Sequence, residues 1–241
     1  MSKRFIVNVS DIILKSEEII VLQGEVLQHL KALRKDVKDT VQVNEYTLEL
    51  QEIHKDNIVA KIISVSDKKN ENTIKLNVYQ GYLKSDKMEY VVQKSVELGA
   101  NSITGIITQN TVVRLEEKDR VKKQDRLQKI AIAAVEQCGR QDIPEIGNIV
   151  DIKELELDED VVILCHEKSI TDIKYIVKDI SPNVQSVAML IGPEGGFSDR
   201  DIEYIKSKNS NVKDVSLGQR ILRAETACIY ILSILGYELG I

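Results

Sequence analysis

Short apolar runs separated by charged turns fill the first part of the chain. FIVNV (5–9), EIIVL (18–22), TVQVNE (40–45), YTLELQEI (46–53) and NIVAKIISV (57–65) follow one another, with turns such as Lys55-Asp56-Asn57 between them. Short strands at this spacing predict a small antiparallel barrel. One helix interrupts it, because Val26, Leu27, Leu30, Leu33 and Val37 recur at helical spacing. The stretch 66–72 (SDKKNEN) has no hydrophobic residue, which predicts a boundary between a domain over 1–70 and a second over 71–241.

Beyond that boundary, strand-like runs alternate with helical segments of ten residues or so, the pattern of an α/β domain with a mainly parallel sheet. The strands expected are Ile74 to Tyr79, Ile103 to Ile107, Val161 to Cys165, Val187 to Ile191 and Val212 to Val215. The helices expected are Met88 to Leu98, Asp125 to Gln137, Asp172 to Ile180, Asp199 to Lys208 and Arg223 to Leu239. Gly99 and Gly139 stand where helix C-caps favour glycine.

Two strand ends run into glycine loops. Val187 to Ile191 leads into Gly192-Pro193-Glu194-Gly195-Gly196, and Ser198 with Asp201 forms a capping box that opens the next helix. Val215-Ser216-Leu217-Gly218 repeats the design, with Gln219 to Arg223 leading into the last helix. In a parallel sheet both loops lie at the carboxyl ends of strands, where open α/β folds bind ligands. The spacing matches neither phosphate-cradling pattern, and Glu194 stands in the loop where a phosphate site would carry lysine. A partly apolar ligand with a positive centre, held by backbone groups, fits better, and S-adenosyl-L-methionine is such a ligand.

Composition narrows the class. At 241 residues, 43% hydrophobic and 29% charged, the chain is an ordinary globular protein. Its longest apolar run, Ala227 to Leu235, is far short of the roughly 18 residues that argue a membrane span, and the start carries no signal-peptide run, so a cytoplasmic protein is expected. Cys138, Cys165 and Cys228 are scattered and read as reduced core residues; with His29, His54 and His166 they show no metal-ligand spacing, so no metal is expected. The net charge of −5 excludes a wholly basic nucleic-acid binder, but Arg114 to Lys129 holds seven basic residues against four acidic ones, a local positive island.

The two loops, LIGPEGGFS over 190–198 and LGQRILRAETA over 217–227, resemble the motifs of SPOUT-class RNA methyltransferases. More closely the chain resembles the RsmE family, which methylates N3 of a uridine in 16S rRNA. Arg4-Phe5, His29-Leu30, Leu33-Arg34, Lys84 to Met88, Gln93-Lys94, Glu97 to Gly99, Glu136-Gln137, Arg140 and Pro144 extend the likeness over nearly the whole chain. It departs at Lys38-Asp39, where family members often have glycine-aspartate, at Asn44-Glu45, where they have aspartate-glycine, and around Gly105-Ile106, where a common proline is missing.

The resemblance implies an N-terminal PUA-like RNA-binding barrel, a C-terminal SPOUT domain with a deep trefoil knot, and a homodimer acting on 16S rRNA within the small ribosomal subunit. It implies a cofactor site for S-adenosyl-L-methionine at Leu164, His166, Glu167, Leu190, Ile191, Gly192, Pro193, Gly195, Gly196, Leu217, Gly218, Ile221, Leu222, Thr226 and Ala227. Uracil N3 must lose a proton while it attacks the sulfonium methyl. Arg223 is the first candidate to stabilise the charge, and Glu225 either orients that arginine or accepts the proton, with Glu194 as the competing base. Arg4, Arg34, Lys84, Lys94, Arg114 and Arg140 are the candidate RNA phosphate contacts. A ribosome-assembly protein without catalysis, a methyltransferase with a different RNA target, and a nucleotide-dependent enzyme using the same loops are the competing readings.

Overall fold

A computed structural model describes residues 4, 5, 7, 9–66, 74–181 and 183–240. Residues 67–72 of the expected boundary, positions 6 and 8 of the first expected strand and the side chain of Arg4 lie outside that description. The chain divides into two compact units, Met1–Asn70 with Val135–Asp142, and Glu71–Ala134 with Ile143–Ile241.

The first unit holds β1 (Arg4–Phe5), β2 (Ile12–Leu14), β3 (Ile19–Leu22), α1 (Gly24–Ala32), β4 (Thr40–Val43), β5 (Tyr46–Ile53) and β6 (Ile58–Val65). Its strands form one sheet in the order β1-β4-β5-β6-β3-β2, antiparallel except for the β1–β4 pair. Alternation along β5 buries Leu48 and Leu50, and these meet Ile20, Leu22, Ile58 and the apolar face of α1, Val26, Leu27 and Leu30, in one core. The helix stops five residues before its expected last apolar position, Val37. Arg34 N donates to Lys31 O and Lys35 N to Leu30 O, a Schellman closure with Arg34 in the left-handed region at φ 52°. Leu33 and Val37, expected on the helix face, are therefore exposed. The two departures from the family's turn residues also fall on left-handed backbone, Lys38 at φ 72° and Asn44 at φ 49°. The Asn44 side chain makes its turn secure by accepting from Val7 N and donating to Val7 O.

The second unit begins with β7 (Lys75–Gly81), α2 (Ser85–Glu97) and β8 (Ser102–Ile107), and α3 (Glu117–Cys138) runs on into the residues grouped with the first unit. Then come β9 (Glu145–Ile146), β10 (Val150–Asp151), β11 (Val161–Cys165), α4 (Ile173–Lys178), β12 (Ser186–Ile191), α5 (Asp199–Lys208), β13 (Val212–Val215) and α6 (Ala224–Glu238). Every strand pair is parallel, in the order β10-β8-β7-β12-β11-β13 with β9 beside β8. The helix α3 starts eight residues earlier than periodicity predicts, because EKDRVKKQ, its first two turns, carries only Val121 as an apolar residue, and that side chain faces solvent. Gly99 and Gly139 take φ values of 86° and 82° behind α2 and α3, as C-caps require. The expected capping box is present at α5, where Ser198 Oγ accepts from Asp201 N and the Asp201 carboxylate accepts from Ser198 N.

The end of β7 passes against the loop after β12 with no room for a side chain. A Cβ on Gly81 would clash with Pro193 N and Cδ and reach 2.7 Å from the carbonyl carbon of Gly192. Gly81→Ala is expected to destabilise the protein by about 1–3 kcal/mol through overpacking, read as a lowered urea midpoint with an unchanged m-value.

Candidate functional site

Because β7, β12, β11 and β13 are parallel, with Ile191 beside Gln80, Cys165 beside Ile191 and Val215 beside Cys165, their carboxyl ends open on the same edge of the sheet. A cavity of about 520 Å³ lies there, walled by the loops that follow β11, β12 and β13 and by the start of α6. That volume falls within the 300–1,000 Å³ range typical of small-molecule sites.

The loop after β12 is held from three directions. Gln80, fully buried at the end of β7, donates its amide to Gly192 O at 3.1 Å and to Gly81 O at 3.1 Å. Asn110 donates to Gly195 O at 3.0 Å and Gly196 O at 3.3 Å from the segment after β8. Gly196 closes a turn through its N–H to Pro193 O at 2.9 Å and takes φ 68°, with the Glu167 carboxylate just beyond its α-carbon. The loop after β13 is set by Ser216, whose N–H donates to Thr171 O and whose hydroxyl accepts from Gly218 N, with Gly218 at φ 115°. His166 N donates to Val215 O and so fixes the loop after β11 to β13, while His166 Nε2 is buried without a partner. At its rim Lys168 pairs with Asp199 at 3.0 Å and holds that carboxyl below the usual carboxylate range.

The structure brings most of the predicted cofactor residues together. His166, Glu167, Ile191, Gly192, Pro193, Gly195, Gly196, Leu217, Gly218, Ile221, Leu222 and Ala227 line the cavity, as do Glu194 and Arg223. Three do not. Leu164 and Leu190 are cross-strand neighbours that point the other way, into the core with Leu157 and Phe197, since alternate residues of a strand face opposite sides. Thr226 is an exposed residue of α6, beside Ala227 in sequence but off its buried face. Glu225 does not pair with Arg223. It lies 3.8 Å from Lys87 Nζ, and the same ammonium donates to Glu194 Oε1 at 3.3 Å. Arg223 is instead the exposed N-cap residue of α6.

Lys87, Asn110 and Gln80 were not among the expected site residues. Each acts across more than eighty residues of sequence. Of the candidate phosphate contacts, Arg34, Lys84 and Arg114 are exposed. Lys94 is paired with Glu97 at 2.7 Å, and Arg140 is only 6% exposed, so neither presents an open cation. The positive island is partly neutralised in the same way, by Lys118–Glu116 and Arg126–Glu89 pairs of 2.7 Å. Among the described residues no cluster of three or more His, Cys, Asp or Glu side chains is arranged to hold a metal, and no helix is long and apolar enough to cross a membrane.

The family model described as RNA methyltransferase domain matches residues 70–236, the part of the chain that holds the parallel sheet and both glycine loops of the cavity. The ribosomal RNA small subunit methyltransferase E of Bacillus subtilis is 32% identical over 198 residues, covering 79% of this chain and 76% of the relative. That of Mesomycoplasma hyopneumoniae is 30% identical over 222 residues, covering 91% and 94%. A Legionella pneumophila protein, solved in complex with the bound cofactor SAM, superposes with a TM-score of 0.84 at 31% identity over 98% of both chains. The chain belongs to the ribosomal RNA small subunit methyltransferase E family.

The cysteines separate by environment. Cys138, expected in the core, is exposed at the end of α3, whereas Cys165 borders the cavity and Cys228 is fully buried beside Ser95. Burial pushes the Cys165 thiol far up and the Cys228 thiol to about 11, which favours the protonated form of both at pH 8. A disulfide-exchange reagent at pH 8 is expected to modify one thiol per native chain promptly, and Cys138→Ser should abolish that fast phase.

Proposed function

We propose that this protein transfers the methyl group of S-adenosylmethionine to N3 of a uridine in 16S rRNA, acting in the cytoplasm as a homodimer on the small ribosomal subunit. The observation that carries the reading is the cavity between the loops after β12 and β13, in a chain 31% identical over 98% of its length to a protein solved with bound SAM. The residues fit that cofactor. Ile191, Pro193, Leu217 and Leu222 offer apolar walls, the glycines allow close backbone approach, and the unpartnered His166 Nε2 offers a polar contact inside. The carboxylates Glu167 and Glu194 suit a cationic ligand and disfavour a polyphosphate.

Bound S-adenosylmethionine supplies an electrophilic methyl group. The loops then have to hold a uracil so that N3 faces that methyl in line, which requires the base to be unpaired or flipped, since N3 lies on its pairing edge. To Arg223, which lines the cavity and is exposed, we assign the offsetting of negative charge that develops on the base. Arg34, Lys84 and Arg114 are the cations we propose for the phosphate backbone. The trefoil-knotted path, the PUA-like role of the first unit and the boundary between residues 70 and 71 belong to the same reading.

A thermal-shift panel tests the cofactor. At about 100 times its Kd, S-adenosylhomocysteine is expected to add about 2.7 kcal/mol of stability, with no comparable shift from ATP or NAD. Recombinant protein should restore a single N3-methyluridine to small subunits from a deletion strain, mapped by mass spectrometry of 16S rRNA digests. Stabilisation by ATP alone, or rRNA with nothing missing in the deletion strain, would refute the reading. Arg223→Ala is expected to lower methyl transfer by about 10²–10³-fold, the range for losing one charge-stabilising donor, with S-adenosylhomocysteine affinity within about threefold of wild type.

A further inference from the structure

The cavity wall contains a donor and an acceptor fixed side by side. Lys87, in the first turn of α2, reaches Glu194 of the loop after β12, its Nζ donating to Oε1 at 3.3 Å. Both side chains remain partly open, at 27% and 25% exposure, and both line the cavity. Behind them is Glu225, more deeply buried, whose Oε2 lies 3.8 Å from Lys87 Nζ and has no hydrogen-bond donor of its own. A buried carboxylate in that position depends on the ammonium for compensation, and it holds the ammonium in place. An ammonium has three donors and Glu194 takes one, so Lys87 keeps donors for a ligand, while Glu194 keeps its second oxygen.

We infer that Lys87 and Glu194 together read the imide edge of the target uracil, and that Glu225 is the positioning residue that fixes Lys87. The inference rests on the function proposed above. That edge presents an N–H donor flanked by carbonyl acceptors, the complement of a carboxylate beside an ammonium. Cytosine presents an unprotonated ring nitrogen beside an amino group, which places acceptor against carboxylate and donor against ammonium. In the reaction the N3–H bond breaks and its proton passes to the free oxygen of Glu194. The N3 electron pair forms the new N–CH3 bond, and the methyl's former bonding pair stays on sulfur. Negative charge drawn onto the adjacent carbonyl oxygen during that step is met by Lys87, so the same pair supplies selection and catalysis.

The test compares three forms of the full chain on small subunits from the deletion strain: wild type, Glu194→Gln, and the double variant Lys87→Met/Glu225→Gln, which removes the ammonium without leaving a buried charge unpaired. Single-turnover rates, KM for the subunit and calorimetric affinity for S-adenosylhomocysteine are measured on each. Both variants are expected to turn over at least about 100-fold more slowly, in line with the loss of a general base or of a charge-stabilising donor, with KM and S-adenosylhomocysteine affinity within about threefold. A rate loss below tenfold in Glu194→Gln, or one that only tracks weakened S-adenosylhomocysteine binding, overturns the assignment. If the double variant loses its fold, Lys87→Arg, which keeps the charge, must retain at least a tenth of the wild-type rate for the assignment to stand. Wild-type protein that methylates nothing would instead refute the proposed function, which separates the two failures.

Discussion

The contact on which the site depends is the one between two backbones, the end of β7 at Gly81 and the loop after β12 at Gly192-Pro193. Close packing leaves no space there for even one methyl group. The Gln80 amide bridges both carbonyls at the same place, so the loop leaves the sheet along a single path. From that fixed start the rest follows: Glu194 turns toward Lys87, the Gly195 and Gly196 carbonyls meet Asn110, and Gly196 comes up against Glu167. A looser start would set each of these groups adrift by the small distances that matter in an active site.

Local chemistry with a fixed period or a fixed spacing could be read directly from the chain. The parallel strands, the capping box at Ser198 and Asp201, the C-cap glycines and both glycine loops are of this kind, and they located the cavity. What periodicity misread has physical causes. Arg34 ends α1 in a conformation usually given to glycine, and the first two turns of α3 are nearly all charged. Leu164 and Leu190 sit in the right strands but on the wrong face, a distinction that needs the sheet's sidedness and not just its sequence. Lys87, 107 residues from Glu194, lies in a stretch that shares the family likeness, but no spacing ties it to the glycine loops. Its importance arises only when three distant segments meet.

Charge is managed differently in the two parts of this surface. In the positive island Lys118 and Arg126 are matched by Glu116 and Glu89 at the surface, where such pairs contribute about 0–1 kcal/mol each. The Lys87 group has an excess of acid, two carboxylates to one ammonium, and is partly removed from water. Electrostatics there acts less to stabilise the fold than to hold side chains in one arrangement before a ligand enters. Arg140, expected as a surface cation, is buried, so the sign of a residue is a poor guide to whether its charge is offered outward.

The order β12-β11-β13 has a kinetic meaning. β11 is made before both of its neighbours, yet it ends between them, and the cavity wall draws on Lys87 near one end of the second unit and Ala227 near the other. Contacts this distant in sequence form late, because closing long loops costs entropy before any burial offsets it. The site is therefore complete only when both ends of the second unit are in place. It comes into being only when the last helix has docked on α2, which leaves an unfinished chain without a pocket in which a cofactor could be held.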